Sequence, residues 1–398
     1  MVNYILSKSP NGLFLIFERS VQFDFTIRQE KMLNPFMPSF GRFPKIIIDQ
    51  QEALTDYLTG LQTHDAKYQT SLVYGTRESG KTVFLLNVQR SLEKLDNWIF
   101  IRLNNGQGNL LFQLMHGLQR AAGISLVDLL KNVKSLNIMG NGITWQAFQE
   151  SQQIDYDEYI SILLSHLKKQ GKSILIGIDE IEISDDVRAF GSEYQTLIGD
   201  EYDISLLMTG LPSRISEVQN DNTLTFLLRS NRIYLSPLDE ETITASYEKA
   251  FTKGKREIDF MVLDEMSRAV KGYAYAFQTI GYYAWRFSQE SLQLDEEVLK
   301  QTIEATKKDL FRNAYERMYM DISKTDRDFI NAMIKAGTNR VTTKQLQDIL
   351  HKPINYISVY RARLLADQLI TSPERGVVQL ALPFFAEFVE KYNLEHLA

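Results

Sequence analysis

The chain contains no cysteine, which excludes disulfides and thiolate metal sites and fits a reducing cytoplasm. Histidine is scarce. His64, His116, His166, His351 and His396 show no metal-ligand spacing and read as structural or surface residues. No apolar run approaches the roughly 18 residues of a membrane-spanning helix. Residues 13–17 form an apolar run too short for a secretory signal, without a basic stretch before it or a small-residue cleavage site after it. A basic excess is missing too: the net charge is −6, which argues against a chain dominated by nucleic-acid binding. There is no internal repeat, low-complexity tract or flexible Pro/Ser linker, so domain edges are soft. What remains is ordinary globular composition, 44% apolar and 24% charged, in 398 residues, long enough for more than one domain.

One stretch carries specific chemistry. Gly75-Thr76-Arg77-Glu78-Ser79-Gly80-Lys81-Thr82 fits G-x-x-x-x-G-K-[ST], a loop that holds nucleoside triphosphate phosphates. Gly75 and Gly80 allow tight backbone bending, so that successive N–H groups point inward at phosphate oxygens. Lys81 is placed to reach the β- and γ-phosphates and the Thr82 hydroxyl to ligate Mg²⁺. Residues 71–74 read as a buried strand entering the loop and residues 82–88 as a helix leaving it, its positive end toward the phosphates. The plainer alternative is a Gly-containing turn between strand and helix.

A second motif agrees with the first. Ser173-Ile174-Leu175-Ile176-Gly177-Ile178-Asp179-Glu180 is a short apolar run that suits a strand covered on both faces and ends in two acids. Such strand ends are where open α/β sheets bind ligands. Asp179 is expected to hold Mg²⁺, directly or through water, and Glu180 to orient the attacking water. Taken alone, the two acids could equally open the following segment. Residues 97–103 read as an intervening strand and residues 204–210 as a further one. Thr209 at its end either meets the γ-phosphate or the attacking water, or satisfies local backbone. Residues 233–235 read as a fifth strand. Arg229 and Arg232 before it are candidates for an arginine finger on a neighbouring subunit, against a surface or structural role.

These motifs, in this order, resemble the AAA+ superfamily and its STAND relatives. Asn34-Pro35-Phe36-Met37-Pro38-Ser39-Phe40-Gly41-Arg42-Phe43-Pro44 resembles the lead-in segment of a prokaryotic archaeal-type ATPase group, itself related to origin-binding initiators. Lys271-Gly272-Tyr273-Ala274-Tyr275-Ala276-Phe277-Gln278 through Trp285 resembles that group's helical lid. The resemblance implies an α/β P-loop core with a five-stranded, mostly parallel sheet, a helical lid in which Gly272 approaches the nucleotide, and ATP with Mg²⁺ as ligands. The residues alone do not separate ATP from GTP. The chain departs from the pattern at Ala274, where proline is common, and at Asp49-Gln50, where Gly-Arg is usual.

The expected organisation is an N-terminal extension over residues 1–31, a nucleotide-binding core over 32–236, a helical lid over 237–324 and a winged helix over 325–398. Met32 is a candidate natural start. Lid helices are expected over 242–251, 260–270 and 275–288, with one long helix over 295–320. In the winged helix, residues 325–336, 343–350 and 355–369 read as three helices, the third in the recognition position. Residues 373–376 form the wing turn. Asn355, Tyr356, Ser358 and Arg361 could face a DNA groove and Arg375 the phosphates or minor groove. From Arg340 to Gly376 the charge is +3 in an otherwise acidic chain. The alternative packs this region on the core or on a protein. The whole reads as a cytoplasmic Mg²⁺-dependent ATPase coupled to a DNA-binding or DNA-remodelling winged helix. The rivals are a slow STAND-type switch gating a protein partner, and a regulator in which the nucleotide is purely structural.

Overall fold

The computed structural model describes residues 5–8, 14–17, 33–38, 46, 51–75, 79–124 and 156–396. Several expected features lie outside that range: Met32, residues 39–44, Asp49-Gln50, and Thr76, Arg77 and Glu78 of the phosphate loop. The chain divides into two compact units, residues 1–34 and 35–398. The first carries an antiparallel hairpin of β1 (Ile5–Lys8) and β2 (Phe14–Phe17), paired from Ile5 with Phe17 to Lys8 with Phe14.

The second unit is built on a five-stranded parallel sheet. It begins with α1 (Gln51–Gln62), then β3 (Thr70–Gly75), α2 (Lys81–Leu92), β4 (Trp98–Asn104) and α3 (Leu110–Ala122). After the undescribed segment come α4 (Tyr156–Lys169), β5 (Ser173–Asp179), α5 (Asp185–Gly199), β6 (Ile204–Gly210), α6 (Pro212–Gln219) and β7 (Asn231–Leu235). The strand order is β4-β5-β6-β3-β7. The loop-bearing strand β3 therefore lies between the two that come last in the chain, in register from Tyr74 to both Gly210 and Tyr234.

Period-two alternation sorts the apolar side chains onto both faces. Leu72, Ile174, Ile176, Ile178, Leu206 and Met208 pack with α3 to α6, whereas Val73, Leu175, Leu207, Ile233 and Leu235 pack with α1 and α2. This is why the central strands β5 and β6 are nearly continuous apolar runs: neither face meets water, whereas the edge strands β4 and β7 carry exposed residues.

A helical region follows: α7 (Glu240–Lys253), β8 (Glu257–Ile258), α8 (Phe260–Val270), α9 (Ala274–Phe287), β9 (Gln293–Leu294) and α10 (Glu296–Leu310). Asp239, Asp259 and Asp295 cap α7, α8 and α10 through their side chains. The single helix expected to Met320 is instead α10, a π-helical turn over Phe311–Tyr315, and α11 (Glu316–Asp321). The turn places Tyr315 where its hydroxyl donates to Pro383 O at 2.7 Å, so a tertiary contact accompanies the widened helix.

Phe36 of the lead-in segment is 2% exposed in this region's core, not in the sheet's. Its ring meets Tyr247, Phe251, Phe277 and Trp285 with centroids 5.5–6.4 Å away. Gln278 on α9 clamps the segment, accepting from Met37 N and donating to Ile46 O, both at 2.9 Å.

The C-terminal region comprises α12 (Lys324–Lys335), β10 (Val341–Thr342), α13 (Thr343–Leu350), α14 (Ile354–Ala366), β11 (Ile370–Thr371), β12 (Val377–Leu380) and α15 (Phe385–His396). Its strands form an antiparallel sheet in the order β10-β12-β11. Thr342 and Gln345 close a reciprocal capping box on α13.

Candidate phosphate and metal site

Gly80 adopts φ 90°, a conformation open to glycine, and α2 starts at the next residue. A Cβ at Gly75 would sit 2.6 Å from Ser79 Oγ and 2.7 Å from Leu235 O, so no larger residue fits there. Lys81 opens α2 and is 8% exposed; its Nζ donates to Gly75 O at 3.1 Å, across the mouth of the loop. Thr82 follows, half-buried, in the first turn of the helix. The backbone shape, the buried ammonium and the hydroxyl at a helix N-terminus fit a triphosphate.

The acids lie two strands away. Asp179 ends β5, and Thr209 on adjacent β6 donates from Oγ1 to Asp179 Oδ1 at 2.5 Å. The same Oγ1 accepts from Glu180 N at 3.2 Å. Thr209, fully buried, thus ties both acids in place; its hydroxyl is spent on them rather than aimed at open space. Glu180 is exposed and has φ 51°, uncommon for a residue with a side chain. A carboxylate, a hydroxyl and an adjoining phosphate loop fit a hydrated divalent ion.

Two arginines, one on Asp179 and one on Glu182 just after it in the chain, escaped the sequence reasoning. Arg102 Nη2 on β4 donates to Asp179 Oδ2 at 3.0 Å. The available signal was a charge within an otherwise apolar strand, residues 97–103. Arg214, at the start of α6, lies 3.0 Å from Glu217 and 3.5 Å from Glu182. Glu217 first, and then Glu182 and Asp367, hold the Arg214 guanidinium above its ordinary range, against partial burial. No spacing rule marks it.

Arg229 and Arg232 are exposed and form no ion pair among the described residues. Arg232 lies beside Leu72, three residues before Gly75, so it stands about 10 Å down the strand from the loop end of the sheet. Neither belongs to the cluster around Asp179. Gly272 has φ 73°; its carbonyl accepts from Leu238 N at 2.9 Å, and a Cβ would meet Leu238 O at 2.8 Å. It joins α8 to the chain leaving β7.

On α14, Asn355 and Ser358 are exposed, while Tyr356 and Arg361 are half-buried. Arg361 donates to Ser372 Oγ at 2.6 Å, and Arg363 is bidentate to Asp326. Arg375 is exposed beyond β11. Two of the helix's cations are therefore engaged inside the region, which the charge count alone did not reveal.

A family model described as a domain of unknown function (DUF8462) matches residues 310–389. No curated protein matches the sequence. Among solved structures, the ORC2 protein of Aeropyrum pernix, determined as ADPNP–ADP complexes, superposes with TM-score 0.61 at 12% identity, over 90% of this chain and 98% of that one. A Walker-type ATPase of Pyrococcus abyssi, paby2304, gives 0.57 at 17% identity over 86% and 96%. The likeness is one of fold: the expected α/β architecture with a five-stranded parallel sheet is the one found, and these two proteins share it. Among the described residues, no helix is long and apolar enough to cross a membrane.

Proposed function

We propose that this chain is a cytoplasmic ATP-binding protein that hydrolyses ATP with Mg²⁺ and couples nucleotide state to its C-terminal region. The observation that carries the reading is the pairing of a buried Lys81 over the Gly75 carbonyl with the Thr209–Asp179–Glu180 cluster at the ends of neighbouring strands. Gly75, Ser79, Gly80, Lys81 and Thr82 hold the phosphates, with Thr76, Arg77 and Glu78, outside the described residues, completing the motif. Lys81 exchanges its carbonyl partner for phosphate oxygens. Thr82 and Asp179 hold Mg²⁺, which when bound supplies charge neutralisation at the transferring phosphoryl group. Glu180 polarises the attacking water, and Thr209 fixes the direction of both acids. Gly272 positions the helical region, residues 237–324, as a lid.

Residues 325–398 make a winged helix, with α12, α13 and α14 as its helices and the turn between β11 and β12 as its wing. Exposed Asn355, Ser358 and Arg375 are its candidate DNA contacts, Tyr356 and Arg361 standing behind them. A second reading, a slow switch gating a protein partner, is favoured by the packing of α14 on α6.

The test is steady-state ATP hydrolysis with and without duplex DNA. Glu180→Gln should lower turnover roughly a hundredfold or more while sparing nucleotide binding. DNA-stimulated turnover supports the DNA reading; slow turnover indifferent to DNA supports the switch. No nucleotide binding at all overturns both.

A further inference from the structure

Arg102 is a cation that the phosphate-loop chemistry leaves unexplained. It sits two residues before the end of β4, and its strand runs beside β5 with Asn104 opposite Asp179. Its guanidinium takes Asp179 Oδ2 while Thr209 takes Oδ1, so protein donors meet both carboxylate oxygens. The pair is semi-enclosed, with Arg102 43% and Asp179 15% exposed. Solvent screens such a pair less than one on an open surface.

Asp179 and Glu180 place two formal negative charges at the end of β5, where a triphosphate brings several more. Like charges this close disfavour binding unless a counter-ion is present. We propose that Arg102 is the built-in counter-ion of Asp179: a positioning residue that neutralises this carboxylate when no divalent ion does. It allows the chain to hold nucleotide without metal, and it competes electrostatically with the ion for Asp179. The inference rests on the phosphate-loop reading of residues 75–82.

The experiment titrates the full-length chain with a ribose-labelled fluorescent ATP, first in EDTA and then across a Mg²⁺ series. Arg102→Met should weaken metal-free binding about fivefold and lower the Mg²⁺ concentration needed for half its effect by a similar factor. Arg102→Lys should restore part of the metal-free affinity, which also guards against a fold defect in the first variant. In an Asp179→Asn background Arg102→Met should change neither quantity, because the charge it offsets is gone. Unchanged metal-free binding in Arg102→Met, or an equal loss in the Asp179→Asn background, overturns the proposal. Lys81→Ala separates the two levels. Binding that needs Lys81 but ignores Arg102 sinks this inference alone. Wild-type binding no better than Lys81→Ala sinks the phosphate-loop reading with it.

Discussion

Thr209 shows how much one hydroxyl can organise. It donates to Asp179 and accepts from the Glu180 amide, so it aligns two acids that follow one another in sequence yet face different neighbours. Glu180 is held at φ 51°, a backbone state of order 1 kcal/mol above the usual ones, and the Thr209 contact helps to hold it there. Thr209→Val keeps the shape but removes both bonds. It should lower stability by about 1–3 kcal/mol in urea denaturation and slow ATP turnover about tenfold, with nucleotide affinity nearly unchanged. Equal losses in affinity and turnover would mean that Thr209 meets the nucleotide itself.

At the scale of elements, the lead-in segment is a packing device. Phe36 fills a slot among α7 and α9 that glycine opens: a Cβ at Gly281 would lie 2.4 Å from the Phe36 ring. Phe36→Ala should cost about 3–5 kcal/mol of the helical region's stability. Chemical denaturation should register it, while the sheet around β3 keeps its hydrogen-exchange protection. A loss confined to the sheet would contradict this placement. The motif was visible in the sequence; its target was not, because nothing in residues 34–38 states which aromatic cluster, between Tyr247 and Trp285, receives the ring.

At the scale of the whole second unit, the end of β3 is linked to the C-terminal region. Tyr74 immediately precedes Gly75, and its ring packs on Tyr234 with centroids 5.4 Å apart. The Tyr234 hydroxyl accepts from Gln368 in the turn after α14. Arg214, between Glu182 and Asp367, spans the same divide. A movement at Gly75 on nucleotide binding therefore has a packed route to α14. Gln368→Ala should speed amide exchange over residues 364–371 about threefold to tenfold and shrink any nucleotide-dependent change there. If exchange in that stretch ignores both the substitution and the nucleotide, the two regions are not coupled by this route.

The Gly75–Thr82 motif, the acid-ended strand and most element positions were legible in the sequence because each rests on local rules. Backbone bending needs glycine, a doubly covered strand needs an apolar run, and a helix start needs a cap. The α/β class with a mostly parallel sheet was what the family resemblance of those motifs implied, and it is the sheet found. The partners of each charge were not legible in the sequence. Arg102 and Asp179 meet only because β4 and β5 pair in register; Arg361 and Arg363 are engaged only because the fold brings Ser372 and Asp326 within reach; Arg232 lies beside Leu72 only because β7 pairs with β3. Those outcomes depend on distances between residues far apart in the chain, which local propensity and spacing do not encode and which only the packed strands and helices decide.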